Sequence, residues 1–301
     1  MILLSFCKRM EKNLIWRVVT LLQFVSAHLS DRQRRHLGRV VGEVFYFFSR
    51  RRAEKAAGRC ARILGLSRSE ARTTIRRSYE NLGISLLEIL AFSGKDLAFF
   101  EKRLLIQGLP HLEQARSRGK GVILLSAHIG NWEMAAAWLG QRGFPVKVIG
   151  ARQSDPRLTE LIERIRRKCG IRTLWMDAGL RPALFCLRKN ELLGILYDQD
   201  GGPQGIIVPF LGFPARTAIG PLRLALTTGA AILPLLITRN RADPTRHILV
   251  FFPALEIRPG EKSEITHYGR ICNDLISDWI RQYPDQWLYE GWLYDRWICT
   301  H

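Results

Sequence analysis

From residue 111 onward the chain alternates short strand-like segments with helical patterns, and no other feature narrows the fold as much. The runs at 121–126, 146–150, 171–175, 192–197, 232–238 and 247–252 are rich in Val, Ile and Leu and end at Gly, Pro or polar residues, as buried strands do. Between them, 158–168, 178–188 and 221–228 carry apolar residues at helical spacing. That alternation predicts an α/β fold, a mixed sheet flanked by helices. The preceding residues lack strand signals and read as helices, and Ser67 with Glu70 three residues on has the form of a capping box. The chain has no internal repeat and no Pro-rich linker. The expected organisation is an N-terminal helical region, 1–110, packed as one unit with an α/β domain, 111–301.

The helical region has two segments suited to a lipid interface. Leu14, Val18, Leu21, Leu22, Val25 and Leu29 form an amphipathic stripe, which Arg17 and Gln23 interrupt. The run falls short of the roughly 20 clean apolar residues of a spanning helix, so a helix lying in one leaflet is expected. A soluble core helix is the alternative. A secretory signal is a third reading, with Lys8, Arg9 and Lys12 ahead of the run. Against it, residues 32–77 hold fourteen Lys or Arg and three Glu, and a block so basic after an apolar segment tends to stay cytosolic. Aromatic residues 45–48 then run into Arg50, Arg51 and Arg52, a sequence that fits rings at headgroup depth beside guanidiniums on phosphates, or a buried helix with a solvated basic end. The extension is therefore expected to be membrane-associated.

Charge supports a polyanionic partner. Lys and Arg number 46 against 27 Asp and Glu, a formal +19. Nucleic acid, an anionic membrane, a phosphorylated lipid and an acidic carrier protein all satisfy such a balance. A nucleic-acid reader would interleave exposed aromatic and basic residues, whereas the aromatics here gather in apolar runs. Six cysteines, at 7, 60, 169, 186, 272 and 299, show no C-x-x-C spacing and read as reduced thiols.

One apolar run stops on a group able to move protons. Leu124-Leu125-Ser126-Ala127 leads to His128, then Gly130 and Asn131 break the chain before a helix that starts at Trp132-Glu133. His128 is thereby expected at the carboxyl edge of a strand and Glu133 in the first turn of a helix, where the dipole favours an ionised carboxylate. A His beside a carboxylate is a general base in form. Taken alone, the pair is equally compatible with a structural role. No Gly-x-Ser-x-Gly, His-Glu-x-x-His, Gly-x-x-x-x-Gly-Lys or Gly-x-Gly-x-x-Gly occurs, so acyl-serine, zinc, nucleotide-phosphate and dinucleotide chemistry lack their signatures.

His128-Ile129-Gly130-Asn131-Trp132-Glu133 resembles the His-x4-Asp/Glu motif of glycerolipid acyltransferases, in the form typical of the bacterial lipid A biosynthesis late acyltransferases of lauroyl/myristoyl type. Asp198-Gln199-Asp200-Gly201, the run Val208-Pro209-Phe210-Leu211-Gly212-Phe213-Pro214-Ala215-Arg216-Thr217, Gly220 and Thr228-Gly229-Ala230 resemble further family segments in order and spacing. Arg152 stands where that family places an Arg after the second strand, and Asn81-Leu82-Gly83 with Glu88 resembles its helical preamble. The likeness runs from about residue 50 to residue 290.

The resemblance implies transfer of a fatty acyl group from acyl carrier protein to a hydroxyl of a phosphorylated lipid A precursor, with another glycolipid or an aminolipid as alternative acceptors. His128 and Glu133 would be the catalytic pair, attacking directly without an acyl-enzyme. Arg152, Asn131, Asp198, Gln199 and Arg216 would bind substrate. Each also has a plain reading: Arg152 a surface arginine, Asp198 the cap of a turn, Arg216 a solvated or structural group. No metal is implied, and no cofactor besides acyl carrier protein as co-substrate. The implied partners are acyl carrier protein, an anionic glycolipid and a membrane surface, with no nucleic acid, at the cytoplasmic face of the bacterial inner membrane.

Overall fold

The computed structural model describes residues 2–257 and 262–289, with side chains described from residue 12 and, in the last helix, from residue 264. Four helices open the chain: α1 (Ile2–His28), α2 (Asp31–Phe48), α3 (Arg50–Leu64) and α4 (Arg68–Leu90). Capping boxes start α2, through Ser30 and Gln33, and α4, through Ser67 and Glu70 as the sequence indicates, while Gly65 ends α3 in the left-handed conformation. α2 and α4 touch backbone to backbone. A Cβ on Gly42 would stand 2.3 Å from the Tyr79 carbonyl oxygen, and one on Gly83 2.2 Å from that of Gly38.

α1 turns Trp16, Val19 and Leu22 toward the core, and buried Ser26 donates to the Leu87 carbonyl at 2.5 Å. Its Leu14, Ile15, Val18, Leu21 and Phe24 are exposed, as are Val40, Val44, Phe47 and Phe48 on α2. Among the described residues no helix is long and apolar enough to cross a membrane.

α5 (Leu97–Glu101), β1 (Leu104–Gln107), α6 (Leu109–Ser117), β2 (Val122–Ser126), α7 (Trp132–Gln141), β3 (Val146–Gly150), α8 (Pro156–Lys168), β4 (Ile171–Trp175), α9 (Arg181–Arg188) and β5 (Leu192–Leu196) follow. Then come a hairpin of β6 (Ile206–Phe210) and β7 (Phe213–Thr217), α10 (Gly220–Thr228), β8 (Ala231–Arg239), β9 (His247–Phe251) and α11 (Lys262–Gln282). Seven strands make one sheet in the order β1-β9-β8-β2-β5-β3-β4. β8 and β9 are antiparallel and every other neighbouring pair is parallel, so the fold is α/β with a mixed sheet flanked by helices. β2 is buried on both faces: Ile123 and Leu125 enter one core, Val122 and Leu124 the other. α4 serves both cores, with Ala71, Ile75 and Tyr79 in the first and Leu87 and Leu90 in the second.

All six expected strands are present, and three others are not foreshadowed. β1 is four residues long at a sheet edge. β6 and β7 each carry a proline, ordinarily a sign against a strand. Pro209 and Pro214 face one another in register within a two-stranded ribbon, where a missing N–H interrupts no central ladder.

Candidate active site

Strand register brings together two residues far apart in sequence. β2 and β5 run parallel with Ser126 beside Leu196, so His128 and Asp198, each two residues further on, leave the sheet side by side at its carboxyl edge. Asp198 is fully buried and its two oxygens are divided between three donors. Oδ1 lies 2.8 Å from His128 Nδ1, while Oδ2 accepts the His128 backbone N–H and the Trp287 indole N–H, each at 2.8 Å. Burial alone would push the carboxyl up, but the charge and hydrogen bonds of His128 and the Trp287 bond outweigh it and hold Asp198 below its ordinary value. An ionised carboxylate only accepts, so Nδ1 of His128 carries a proton and Nε2 is the ring nitrogen left free of Asp198 to exchange one. Asp198 thus does not cap a turn; that bond is made by Asp200, whose Oδ1 accepts from Gly202 N–H at 3.0 Å.

The segment after His128 fits only as this sequence writes it. Gly130 has φ +61°, a Cβ there would lie 2.3 Å from the Ile237 carbonyl, and its N–H donates to the Gln286 carbonyl at 3.0 Å. Asn131 caps α7, its Oδ1 accepting from Met134 N–H at 3.1 Å, which leaves Trp132 as the first helical residue with no intrahelical acceptor for its N–H. The Trp132 ring stands edge-on to His128, centroids 5.0 Å apart, while Trp138 is core.

Asn131 Nδ2 donates to Glu88 Oε2 at 2.8 Å, so its amide belongs to the framework. Glu88, on α4, also accepts from Arg239 NH1 and NH2 at 2.6 and 3.1 Å and stands near His247 Nε2. Burial raises the Glu88 carboxyl, yet Arg239 and His247 bring it well below its ordinary value. Burial lowers His247 from 6.5, against the pull of Glu88. Gln286 closes the group from the other side, bonding the Arg239 backbone through both ends of its amide.

Glu133 corrects an expectation. It starts α7 as anticipated, but both its oxygens meet the Arg166 guanidinium of α8, Nε at 3.0 Å and NH2 closer still, in a nearly buried ion pair. The carboxylate on the His128 ring is that of Asp198. Two groups of the site, Trp287 and the Arg166 partner of Glu133, went unnoticed in the sequence, and no local signal marks either.

The other expected residues lie around the same edge. Arg152 lies two residues past β3, at the same carboxyl edge of the parallel strands from which His128 and Asp198 emerge. It is exposed, bonded to Asp177 Oδ2 at 3.0 Å and stacked 4.6 Å over Trp175. Gln199 is half-buried. Arg216 NH2 donates to Asp200 Oδ2 at 2.7 Å and so ties β7 to the loop after β5. Cys60, Cys169, Cys186 and Cys272 are free and buried, burial pushing them up to about 11, 12, 12 and 12, which leaves them unreactive; Cys7 and Cys299 fall outside the described side chains. Among the described residues no cluster of His, Cys, Asp and Glu is arranged to hold a metal ion.

Residues 6–298 match the protein family described as bacterial lipid A biosynthesis acyltransferase. A phosphatidylinositol mannoside acyltransferase of Mycobacterium tuberculosis is 32% identical over 192 residues, 61% of this chain and 60% of that protein. A lipid A biosynthesis acyltransferase of Haemophilus influenzae is 25% identical over 63% of the chain and 58% of its own length. The lipid A biosynthesis lauroyltransferase of Escherichia coli is 23% identical, the match covering 74% and 72%. The chain spans about 60% of the length of the mycobacterial relatives it matches.

Proposed function

Because the chain belongs to the bacterial lipid A biosynthesis acyltransferase family, we propose that it moves a fatty acyl group from the thioester of acyl carrier protein to a hydroxyl of an anionic glycolipid, a phosphorylated lipid A precursor in the first reading. The observation that carries the proposal is the buried His128–Asp198 pair at the entrance to α7. His128 Nε2 takes the acceptor hydroxyl proton as the oxygen attacks the thioester carbonyl, and Asp198 stabilises the imidazolium through Nδ1. The oxyanion of the tetrahedral intermediate meets backbone N–H groups at the start of α7, near Asn131 and Trp132. Collapse expels the carrier thiolate, which recovers the proton from His128, so no acyl-enzyme forms. Glu133, through Arg166, fixes the pitch of α7 that aims those donors.

Arg152 exchanges Asp177 for a phosphate of the acceptor, since a guanidinium matches phosphate oxygens in pairs. Gln199 and Arg216 border the acceptor from the hairpin side. The exposed apolar residues of α1 and α2, followed by Arg50, Arg51 and Arg52, rest on the cytoplasmic face of the bacterial inner membrane.

A second acceptor has an observation of its own. Identity to the mycobacterial proteins, 28–32%, exceeds the 23–27% to the lipid A enzymes, which favours a phosphatidylinositol mannoside. Purified protein incubated with acyl carrier protein loaded with chains of several lengths, and with each acceptor in turn, decides by mass spectrometry. The expected product is heavier by one acyl chain and absent with His128→Ala. No increment on either acceptor from folded protein overturns the reading.

A further inference from the structure

α9 carries a large apolar side chain, Phe185, on the side away from its core face. Ala183, Cys186 and Leu187 face the core, while Phe185 points outward, 60% exposed, between Arg181 and Arg188 at helical spacing. Just ahead of it, at the carboxyl end of β4, Met176 and Leu180 are each 61% exposed. Arg152 stacks on Trp175 and pairs with Asp177, the two residues either side of Met176, and the exposed Arg181 and Arg188 stand one helical turn either side of Phe185.

This row continues into another. Arg152 ties residues 175–177 to the loop after β3 through Asp177 and Trp175. The far side of that loop holds α1, where Lys12 Nζ donates to the Ser154 carbonyl at 2.8 Å and Arg157 donates to Asn13 Oδ1 at 2.9 Å. The start of the described part of α1, with exposed Leu14 and Ile15, and the residues after β4, with exposed Met176, therefore border one loop at the carboxyl end of β3 and β4.

We infer that residues 176–188 form a second lipid-contact element, which lays the carboxyl edge of the sheet, and with it the entrance to His128, directly onto an anionic bilayer surface. The inference rests on the proposed use of a lipid acceptor and adds where the bilayer touches the catalytic half of the chain. Two features favour lipid over an acidic protein as the occupant. Protein hot spots gather in a packed centre, whereas these apolar side chains stand singly, each beside a cation. Long basic side chains around single apolar ones match a headgroup layer, where the apolar part inserts and the charge stays with phosphate. An acceptor would then reach His128 sideways, without leaving the membrane.

The test needs no catalysis. Full-length protein and its Met176→Ser/Leu180→Ser/Phe185→Ser variant are sedimented with vesicles of phosphatidylcholine containing about 30% phosphatidylglycerol. The variant is expected to bind about tenfold more weakly, while His128→Ala binds as the parent does, and acyl transfer to an acceptor in detergent micelles stays unchanged in the triple variant. In a second measurement, a polarity-sensitive fluorophore on Phe185→Cys is expected to shift to the blue when vesicles are added, which reports contact even where the triple variant folds poorly. Unchanged sedimentation with no spectral shift overturns the inference, as does loss of binding to acyl carrier protein with vesicle binding intact. Absent transfer in micelles beside normal vesicle effects refutes the catalytic reading alone.

Discussion

Trp287 and His128 hold the same carboxylate: the indole N–H and the His128 backbone N–H both end on Oδ2 of Asp198, so Oδ1 is turned to the imidazole. The segment containing Trp287 is tied to the residues it serves, since Leu288 N–H donates to the His128 carbonyl at 2.9 Å and Ser78 Oγ donates to the Trp287 carbonyl at 2.5 Å. Replacing Trp287 by Phe keeps the ring and removes one donor to a buried anion, at a cost of about 1–3 kcal/mol. A fall in melting temperature and a pH–rate profile displaced from that of the parent are the expected outcomes. An unmoved profile would mean that the indole only fills space.

Two carboxylates compete for the role of orienting His128, and mutants separate them. Asp198→Asn is expected to lower kcat roughly 100- to 10,000-fold, since the amide no longer selects the tautomer that leaves Nε2 basic. Glu133→Gln is expected to change kcat far less. Steady-state rates at saturating donor decide; equal losses would put Glu133 on the ring in the working enzyme.

Glu133→Ala strands the nearly buried Arg166 guanidinium, whose other bond runs to Thr173 at 3.1 Å. Breaking such a pair costs about 3–5 kcal/mol. Adding Arg166→Met should recover most of the melting temperature, because an apolar neighbour replaces an unpaired charge. Calorimetry of the two single variants and the double variant tests this.

Acid should weaken the fold in stages. His247 is held below its ordinary 6.5, so the unfolded chain takes up that proton first and stability declines as pH falls through 6.5. Glu88 is held below 4.5 and Asp198 below 3.8, so what they contribute is fully present above those values and is lost as pH falls beneath them. Melting temperatures at successive pH values are expected to fall from about pH 6.5 downward, with Glu88→Gln removing part of the slope below 4.5. A curve flat to pH 4 would contradict the downward shift of His247.

Gly42→Ala should be disproportionately costly for one methyl group, about 2 kcal/mol, because the added carbon meets the Tyr79 carbonyl at 2.3 Å and the helices must separate. Gly58, on α3 with open space around it, is the control: there the same change should be neutral or stabilising.

The central strands β2 and β8 were legible because each is an apolar run buried along its whole length, while the short edge strand β1 was not. The corner at His128 was legible because Gly130 and Asn131 break the chain where a strand becomes a helix. Local pattern could not reach the partner of the ring. Asp198 is 70 residues from His128 and Trp287 another 89 beyond, and only strand register and the final docking of residues 284–289 bring them together. Glu133 misled for the same reason: proximity in sequence favoured it for His128, while α8 supplied an arginine that no spacing rule announces. The β6–β7 hairpin was hidden by Pro209 and Pro214, whose cost vanishes when they face each other. Glu88 was visible only through family likeness, with nothing in its surroundings to show that it would be buried among Asn131, Arg239 and His247.

That burial limits how this protein can be taken apart. Removal of the opening helices through α4 would take Glu88 away and leave the Arg239 guanidinium facing His247 and the Asn131 amide with no anion. An engineer who wished to exchange the opening helices for those of a relative must therefore place the junction before Ser67, so that α4 travels with the sheet. A chimera joined after Leu90 should assemble only if the incoming helix happens to bring a carboxylate to the same depth.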